Sequence, residues 1–484
     1  SSSSSVPSPT ESADVGPTKT RPITIGRSAE PVNTPNCNSS WVAAASVPMR
    51  MAVLRIGARS EGGTVGVVRP RTAGPVWLSA RLAADFGEFK RRRRSGACGR
   101  RDVPNPAPQF GKALPMPDQF TDHAKHLPLR KNASPISGPN TPNSTMRILV
   151  TGGAGYIGSH AAIRLLDGGH DVCVVDDLSR GNRGAVDALG AVGGARLEFV
   201  EADLTQVGAV RDALRAFQPD AVLHFAALAY VGESVERPLD YFRVNVGGAI
   251  SLLQAMRETR VRKIVFSSTC ATYGEPDPGT NGIAESTQQA PVNPYGETKL
   301  CVERLLRAAC AAPDDTPLAA VALRYFNVAG SDAHTRIGED HKPETHLIPL
   351  ALQVALGQRS QLTIFGDDYS TPDGTCIRDY VHVDDLIDAH LLALGALHAG
   401  TFRAWNVGTG NGHSVREVLD ACRRVTGHEI PAVVGARREG DPAALFANAS
   451  SIARDLGWRA RHTTLDAMVA SAWAWMRAHP RGYE

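Results

Sequence analysis

From Met146 onward the chain repeats one pattern, an apolar run of strand length followed by a stretch with helical periodicity. RILVT at 147–151, DVCVVD at 171–176, RLEFVEAD at 196–203, DAVLHFAA at 220–227, RKIVFSS at 262–268 and LAAVALRYF at 318–326 are the strand candidates. Several are apolar nearly throughout, which suits strands covered on both faces. Helices are expected near 205–217, 240–260 and 295–311. Successive βα units of this kind build an α/β fold, a Rossmann-type doubly wound parallel sheet with its ligand beyond the carboxyl ends of the strands. Past Gly330 the pattern loosens into longer loops and Pro/Gly turns, expected as a smaller lobe that closes over the site.

The first 145 residues follow no such pattern. They hold 20 Lys+Arg against 9 Asp+Glu and 18 of the 32 prolines, while the remainder holds 32 basic against 40 acidic residues. The formal charge of +3 thus averages a basic piece and an acidic one. With SSSSS at its start, RRRR at 91–94 and no sustained period, residues 1–145 can bury little apolar surface against their ordering entropy. They are expected to form a low-complexity, disordered extension. Three readings stand for it: an Arg- and Ser-rich transit peptide, a basic tail, or upstream sequence ahead of a true start at Met146. The Arg-heavy, Lys-poor, motif-free composition fits the last best. The acidic body gives no ground for a nucleic-acid partner. No run of 18 apolar residues exists, so no transmembrane helix is expected. The eight cysteines show no CxxC pair and no regular spacing, which points to reduced thiols in a cytoplasmic protein and to no metal site.

Gly152, Gly155 and Gly158 form GxxGxxG directly after RILVT and at the head of a helix. That spacing lets backbone approach a pyrophosphate where free N–H groups and the helix dipole favour negative charge. Asp176 ends the second strand, where a carboxylate can accept both ribose hydroxyls of NAD; with Asp177 it would repel the 2′-phosphate of NADP. Arg180 and Arg183 lie close enough to weaken that repulsion, and Asp177 or Ser179 could simply cap a helix. Asp203 follows the third strand, where an adenine contact fits but a turn acid is equally ordinary. Tyr295 and Lys299 form YxxxK, a spacing that puts both on one helix face. Only three lysines follow Met146, so one beside a tyrosine stands out. A nearby ammonium and a cationic nicotinamide would both favour phenolate. Ser267, Ser268 and Thr269 leave a buried strand in a row, with hydroxyls suited to a sugar oxygen.

MRILVTGGAGYIGSH, HFAALAYVGESVERP, FSSTCATYGEP, NPYGETK, LRYFNVAG, IRDYVHVDDL and RREGDPAALFA occur in this order from Met146 to about Tyr483. Together they resemble the UDP-glucose 4-epimerase family within the extended short-chain dehydrogenases/reductases. The resemblance implies an NAD-binding Rossmann domain over 146–330. It also implies a UDP-sugar-binding lobe mainly over 331–484, with parts returning to the first domain. It implies tightly bound NAD, a UDP-sugar substrate, and reversible C4 epimerisation of UDP-glucose and UDP-galactose through a 4-keto sugar. A homodimer acting in galactose metabolism is implied as well. Tyr295 would be the base, Lys299 its positioning partner on the nicotinamide ribose, and Thr269 the assisting hydroxyl. Cofactor contacts are implied at Gly152, Gly155, Tyr156, Ile157, Gly158, Asp176, Asp203, Leu204, Phe225, Asn245 and Lys299. Substrate contacts are implied at Thr269, Tyr295, Asn327, Leu347, Phe365, Arg378, Arg438, Asp441 and Leu445.

Two positions depart from the family. Ala229 stands where some members carry a lysine near the cofactor pyrophosphate. Leu445 stands where members carry bulky Tyr or small Cys beside the sugar 2-substituent, which leaves UDP-N-acetylhexosamines in doubt, and UDP-pentoses stay open as substrates because the reacting centre is the same. A 4,6-dehydratase would need an Asp-Glu pair where Cys270, Ala271 and Thr272 stand. A non-catalytic dinucleotide-binding regulator would be expected to lose Tyr295 or Lys299, and both are present. Deleting residues 1–145 is expected to leave folding and dinucleotide binding intact; loss of solubility or of the dinucleotide on deletion would reject the dispensable extension.

Overall fold

Strand β1 (Arg147–Thr151) turns Ile148 and Val150 to one side and Leu149 to the other, and all three are fully buried. That alternation explains the unbroken apolar run, because each face of the strand needs a cover. The computed structural model describes residues 145–484, apart from Thr316 and Glu439. The expectation of a disordered extension over 1–145 lies, except for Thr145, outside the described residues.

The next strands are β2 (Asp171–Asp176), β3 (Leu197–Glu201), β4 (Ala221–His224), β5 (Lys263–Thr269), β6 (Ala319–Tyr325), β7 (Asn327–Ala329), β8 (Leu362–Phe365), β9 (Ile377–His382) and β10 (Phe402–Val407). Three short ones follow, β11 (Gly412–Ser414), β12 (Ala432–Gly435) and β13 (Ala444–Leu445). A seven-stranded sheet runs in the order β10-β6-β5-β4-β1-β2-β3, with every neighbouring pair parallel. On one face Ile148, Val150, Val172 and Val174 pack with Ala161 and Leu165 of helix Tyr156–Asp167 and Leu386 and Ile387 of helix Val383–Gly395. On the other, Leu149, Cys173 and Val175 pack with Leu214 of helix Val207–Phe217, Met256 of helix Gly248–Thr259 and Leu306 of helix Pro294–Ala311. At roughly 1.5–3 kcal/mol per buried aliphatic side chain, these two layers supply the main drive to fold.

Strand β10 joins this sheet from beyond residue 400, between the first and the last elements of the smaller lobe. There β9 pairs with β7, β11 and β13, and β8 pairs with β12. Ile348 and Leu352, Val418 and Leu419, and Met468 and Val469 close a separate core over them.

Two details differ from the periodicity. Strands β3 and β4 end earlier than their apolar runs, because Ala202–Leu204 and Phe225–Ala227 leave the sheet and line a cavity instead. The run expected as one helix over 240–260 is broken by a π-helical stretch at Phe242–Gly247. Extra-residue turns of this kind are frequent at functional sites. Here the turn carries Asn245, whose amide bonds both backbone groups of Leu228 and the Thr298 hydroxyl, at 2.8 to 3.0 Å.

Behind the ends of β5 and β6 lies a desolvated ion pair. Arg324 on β6 meets Glu303 on helix Pro294–Ala311 through two donors, Nε to Oε1 at 2.9 Å and Nη2 to Oε2 at 2.6 Å, with both side chains almost wholly buried. Glu303→Ala should lower stability by about 3–5 kcal/mol, since it strands a buried guanidinium. Urea denaturation checks this, and a loss under about 1 kcal/mol would mean the pair is not an anchor.

Candidate functional site

A cavity of about 440 Å³ opens over the carboxyl ends of the central strands, where the sheet order reverses between β1 and β4. Doubly wound sheets bind ligands at such a switch point. Seventeen of the twenty residues singled out from the sequence line it.

The glycine loop forms one wall. Gly152 adopts a φ of +70°, and a Cβ there would come within 2.5 Å of the Ala226 nitrogen. A Cβ on Gly158 would meet the Gly152 carbonyl oxygen at 2.1 Å, so loop and helix can touch only without side chains. At Gly155 nothing in the protein is nearer than 3.4 Å; its bare side faces the cavity. Helix Tyr156–Asp167 begins there with no side-chain cap and no acid in its first turn, leaving its free N–H groups for an anion. Tyr156 ties the helix start to the next segment by donating to the Gly330 carbonyl at 2.6 Å. Ile157 and Gly158 complete this wall.

Asp176 accepts from the Ala154 and Leu178 nitrogens at 3.0 and 2.8 Å, so it shapes the loop as well as facing the cavity. Arg180 is engaged by Glu233 and lies over the Tyr230 ring, and Arg183 pairs with Glu201. Neither guanidinium is held ready for a 2′-phosphate. Asp177 binds Ser179 in a local turn, and Asn182 occupies the N-cap position of the following helix, so neither Asp177 nor Ser179 caps it. Asp203 lines the cavity, but its oxygens take Thr205 donors at 2.8 and 2.7 Å, the ordinary turn role. Leu204 and Phe225 add apolar wall.

At the other side Thr269 ends β5, and Tyr295 and Lys299 stand one turn apart on helix Pro294–Ala311, started by Asn293 capping the Gly296 nitrogen at 2.9 Å. The Ser-Ser-Thr row splits by strand alternation. Ser267 and Thr269 face the cavity, with Ser267 bonded to the Tyr325 hydroxyl, whereas Ser268 turns away and donates to Glu303 at 2.5 Å. Lys299 Nζ donates to the Ser267 carbonyl at 2.8 Å and lies 5.9 Å from the centre of the Tyr295 ring.

Burial dominates the electrostatics of this pair. Burial, reinforced by Tyr325, pushes the Tyr295 phenol well above its ordinary value, and the Thr269 hydrogen bond opposes this only in part. Burial also drives Lys299 down to about 7. In the chain alone, burial thus works against both phenolate at Tyr295 and ammonium at Lys299.

Asn327 on β7, Leu347 at the start of helix Leu347–Ala355, and Arg378, Asp441 and Leu445 line the smaller-lobe side. Arg378 is paired with Asp441, so a phosphate would have to share that guanidinium. Three residues stand off the wall: Asn245 braces Leu228 from behind, while Arg438 stacks 4.0 Å over Phe365 near the surface.

The model of the NAD dependent epimerase/dehydratase family matches residues 148–408. The chain belongs to that family. It is 49% identical over 339 residues to a UDP-glucose 4-epimerase of Halalkalibacterium halodurans, covering 70% of this chain and 98% of the relative. To a probable UDP-arabinose 4-epimerase of Arabidopsis thaliana it is 43% identical over 365 residues, covering 74% and 87%. Among solved structures, a UDP-glucose-4-epimerase of Stenotrophomonas maltophila with bound NAD and formylated UDP-arabinopyranose is 44% identical. It superposes with a TM-score of 0.66 over 69% of this chain and 99% of that one. The likeness is thus to UDP-glucose 4-epimerases of the extended short-chain dehydrogenase/reductase family.

Sequence reading passed over Tyr325, Ser267's partner, although it sits in the quoted RYFN motif. It also passed over His224, whose Nδ1 lies 2.7 Å from the Thr151 hydroxyl and which burial lowers to about 3. Keyed to cysteine spacing, it expected no metal site and gave no weight to Glu339, His341, Glu344 and His346, whose ligating atoms come together beside the cavity.

The Lys299 shift has a direct consequence for stability. Its folded value of about 7 lies below the ordinary 10.5, so the unfolded chain holds the extra proton between those limits. Stability therefore rises with pH across that window and is lost as pH falls through 7. Urea melts of the protein stripped of dinucleotide should show wild type gaining on Lys299→Met from pH 7 to 10; a constant difference would reject the buried, depressed lysine.

Proposed function

We propose that the chain reversibly epimerises UDP-glucose and UDP-galactose at C4, with NAD retained in the glycine-loop half of the cavity. The observation that supports this most is the convergence of Thr269, Tyr295 and Lys299 on the same cavity as Gly152, Gly155 and Gly158. Fit to the dinucleotide is supported by the Gly152–Ala226 approach, which admits no side chain, and by the uncapped helix start behind it.

Gly155, Tyr156 and Ile157 would hold the pyrophosphate, Asp176 the adenosine ribose, and Leu204 and Phe225 the flanking rings. Bound there, NAD would supply a cationic ring and reversible hydride-transfer chemistry for the sugar C4. Tyr295 takes the proton of the sugar 4-hydroxyl and gives it back after the 4-keto sugar has turned over. Thr269 shares a hydrogen bond with the reacting oxygen and with Tyr295, keeping the proton path short. Lys299, anchored on the Ser267 carbonyl, holds a donor against the nicotinamide ribose. Asn327, Arg378 and Arg438 keep the UDP diphosphate tethered while the sugar rotates, Leu347 and Phe365 flank the uracil, and Leu445 bounds the sugar. Arg438 and Phe365, stacked on each other, would both have to approach the cavity to take these roles.

On this reading the protein is a cytoplasmic homodimer acting in galactose metabolism. Val231, Val235, Leu239, Phe242 and Ile250, all exposed between residues 231 and 250, support a face that a second copy covers. A broader range that includes UDP-pentoses or UDP-N-acetylhexosamines is favoured by Leu445, which is intermediate in size and buried against β9.

Purified protein incubated with UDP-glucose, UDP-N-acetylglucosamine and UDP-xylose, without added NAD, is expected to convert UDP-glucose, read by product NMR. Failure with all three sugars would sink the proposal. In the same assay Tyr295→Phe should lower turnover by about 10²–10⁴-fold, in line with loss of a general acid–base group, while NAD stays bound. Near-normal turnover would remove Tyr295 as the base.

A further inference from the structure

The segment Glu339-Asp-His-Lys-Pro-Glu-Thr-His346 leads into helix Leu347–Ala355, and it folds back on itself. One potential ligand atom each from Glu339, His341, Glu344 and His346 lies within 4.8 Å of the other three, the group of this kind found among the described residues. His341 Nδ1 is 3.2 Å from Glu339 Oε1 and 3.6 Å from Glu344 Oε2. His346 Nδ1 is 2.6 Å from Glu339 Oε1 and 3.3 Å from Glu344 Oε1. Four N and O ligands at about 2.0–2.1 Å around a tetrahedral ion stand about 3.3 Å apart, the middle of this range.

A second observation points to a missing ligand. The Glu339 and Glu344 carboxylates are only 8% and 6% exposed. Glu339 Oε1 and His341 Nδ1 are buried, face the same small space and make no hydrogen bond. Lys342, the cation nearest in sequence, turns outward to Glu484 at 2.8 Å and does not neutralise them. Two adjacent buried carboxylates need positive charge among them, from protonated His341 and His346 or from a metal ion bound by the same atoms. The surroundings also orient the ligands. The Thr345 and His346 nitrogens each donate to Glu344 Oε1 at 2.7 Å, and the His341 ring is held edge-on by Tyr156 and Tyr230 at 6.2 and 6.0 Å.

We propose that Glu339, His341, Glu344 and His346 form a structural site for one divalent transition-metal ion, best matched by Zn²⁺. Two imidazole nitrogens and two carboxylate oxygens in a tetrahedron suit zinc rather than magnesium or calcium, which demand more oxygens. All four positions are filled by protein, so the ion has no vacancy for substrate and its work is to fix this segment. Glu339, His341 and His346 also line the cavity next to Leu347, so the fixed segment is part of its wall. His346, whose side chain is 48% exposed, gives the ion its entry.

The test uses the full chain treated with EDTA, incubated with ZnCl₂, desalted and assayed by elemental analysis. Wild type and the control His398→Ala should retain about one Zn²⁺ per chain, and His346→Ala and Glu339→Gln at least tenfold less. Zn²⁺ should raise the melting temperature of wild type and not of His346→Ala, and Co²⁺ in its place should give the intense visible absorption of a tetrahedral centre. Retention of less than a tenth of an equivalent by wild type overturns the site, as does equal retention by a His346→Ala variant with wild-type circular dichroism. If Glu339→Gln does not fold, the cobalt spectrum of wild type decides alone, and its absence overturns the proposal.

Discussion

The Glu303–Arg324 pair sets the geometry on which the reactive side of the cavity rests. Glu303 sits one helical turn beyond Lys299 on the helix that presents Tyr295, and Arg324 sits on β6 beside β5, the strand that presents Thr269. Ser268 donates to Glu303, and Arg324 Nη1 donates to the Tyr273 hydroxyl at 2.9 Å. Tyr273 passes the chain on to Asn406 of β10 at 2.7 Å. One buried charge pair thus fastens helix, two neighbouring strands and the returning edge strand. Such a pair adds little net stability over apolar packing, but breaking it is expensive. What it gives here is register: Thr269 and Tyr295 cannot drift apart without unpairing a charge in the core.

The same burial that fixes this geometry costs reactivity in the chain alone. Desolvation opposes phenolate at Tyr295 and ammonium at Lys299 together. A cationic ring arriving beside them would favour phenolate at Tyr295 and would oppose, not restore, ammonium at Lys299. On the proposed function, phenolate at Tyr295 would then depend on the dinucleotide being in place.

Much of this was legible along the sequence because the determinants are local. A glycine loop between a strand and a helix, an acid at the next strand end, and Tyr and Lys four apart each declare themselves within a few residues. What was not legible depends on partners distant in sequence. Ser268 looks like Ser267 until Glu303, 35 positions away, claims it. Arg378 reads as a free clamp until Asp441 pairs with it. The π turn at Phe242–Gly247 shifts the helical phase by one residue within a run that a coarse reading of periodicity spans as one helix. The clustered Glu339, His341, Glu344 and His346 are near in sequence, yet their convergence needs the loop to double back, which spacing alone does not encode.

Substrate breadth follows from how rigidly the sugar side is held. Leu445 lies opposite Arg378 in the β13–β9 pairing. Next to Arg378, the buried Asp379 accepts from the Thr409 nitrogen and hydroxyl at 2.9 and 2.6 Å, the Gly410 nitrogen at 2.9 Å and the Ala447 nitrogen at 3.1 Å. That single carboxylate binds the loop after β10 to the segment just past Leu445 and so holds the backbone that carries the leucine. On the proposed function, the room at the sugar C2 would then be set by the leucine side chain rather than by loop motion. A change of side chain at 445 should alter which sugars fit without disturbing Tyr295, because the two positions are fastened by different buried charges, Asp379 for one and Glu303 for the other.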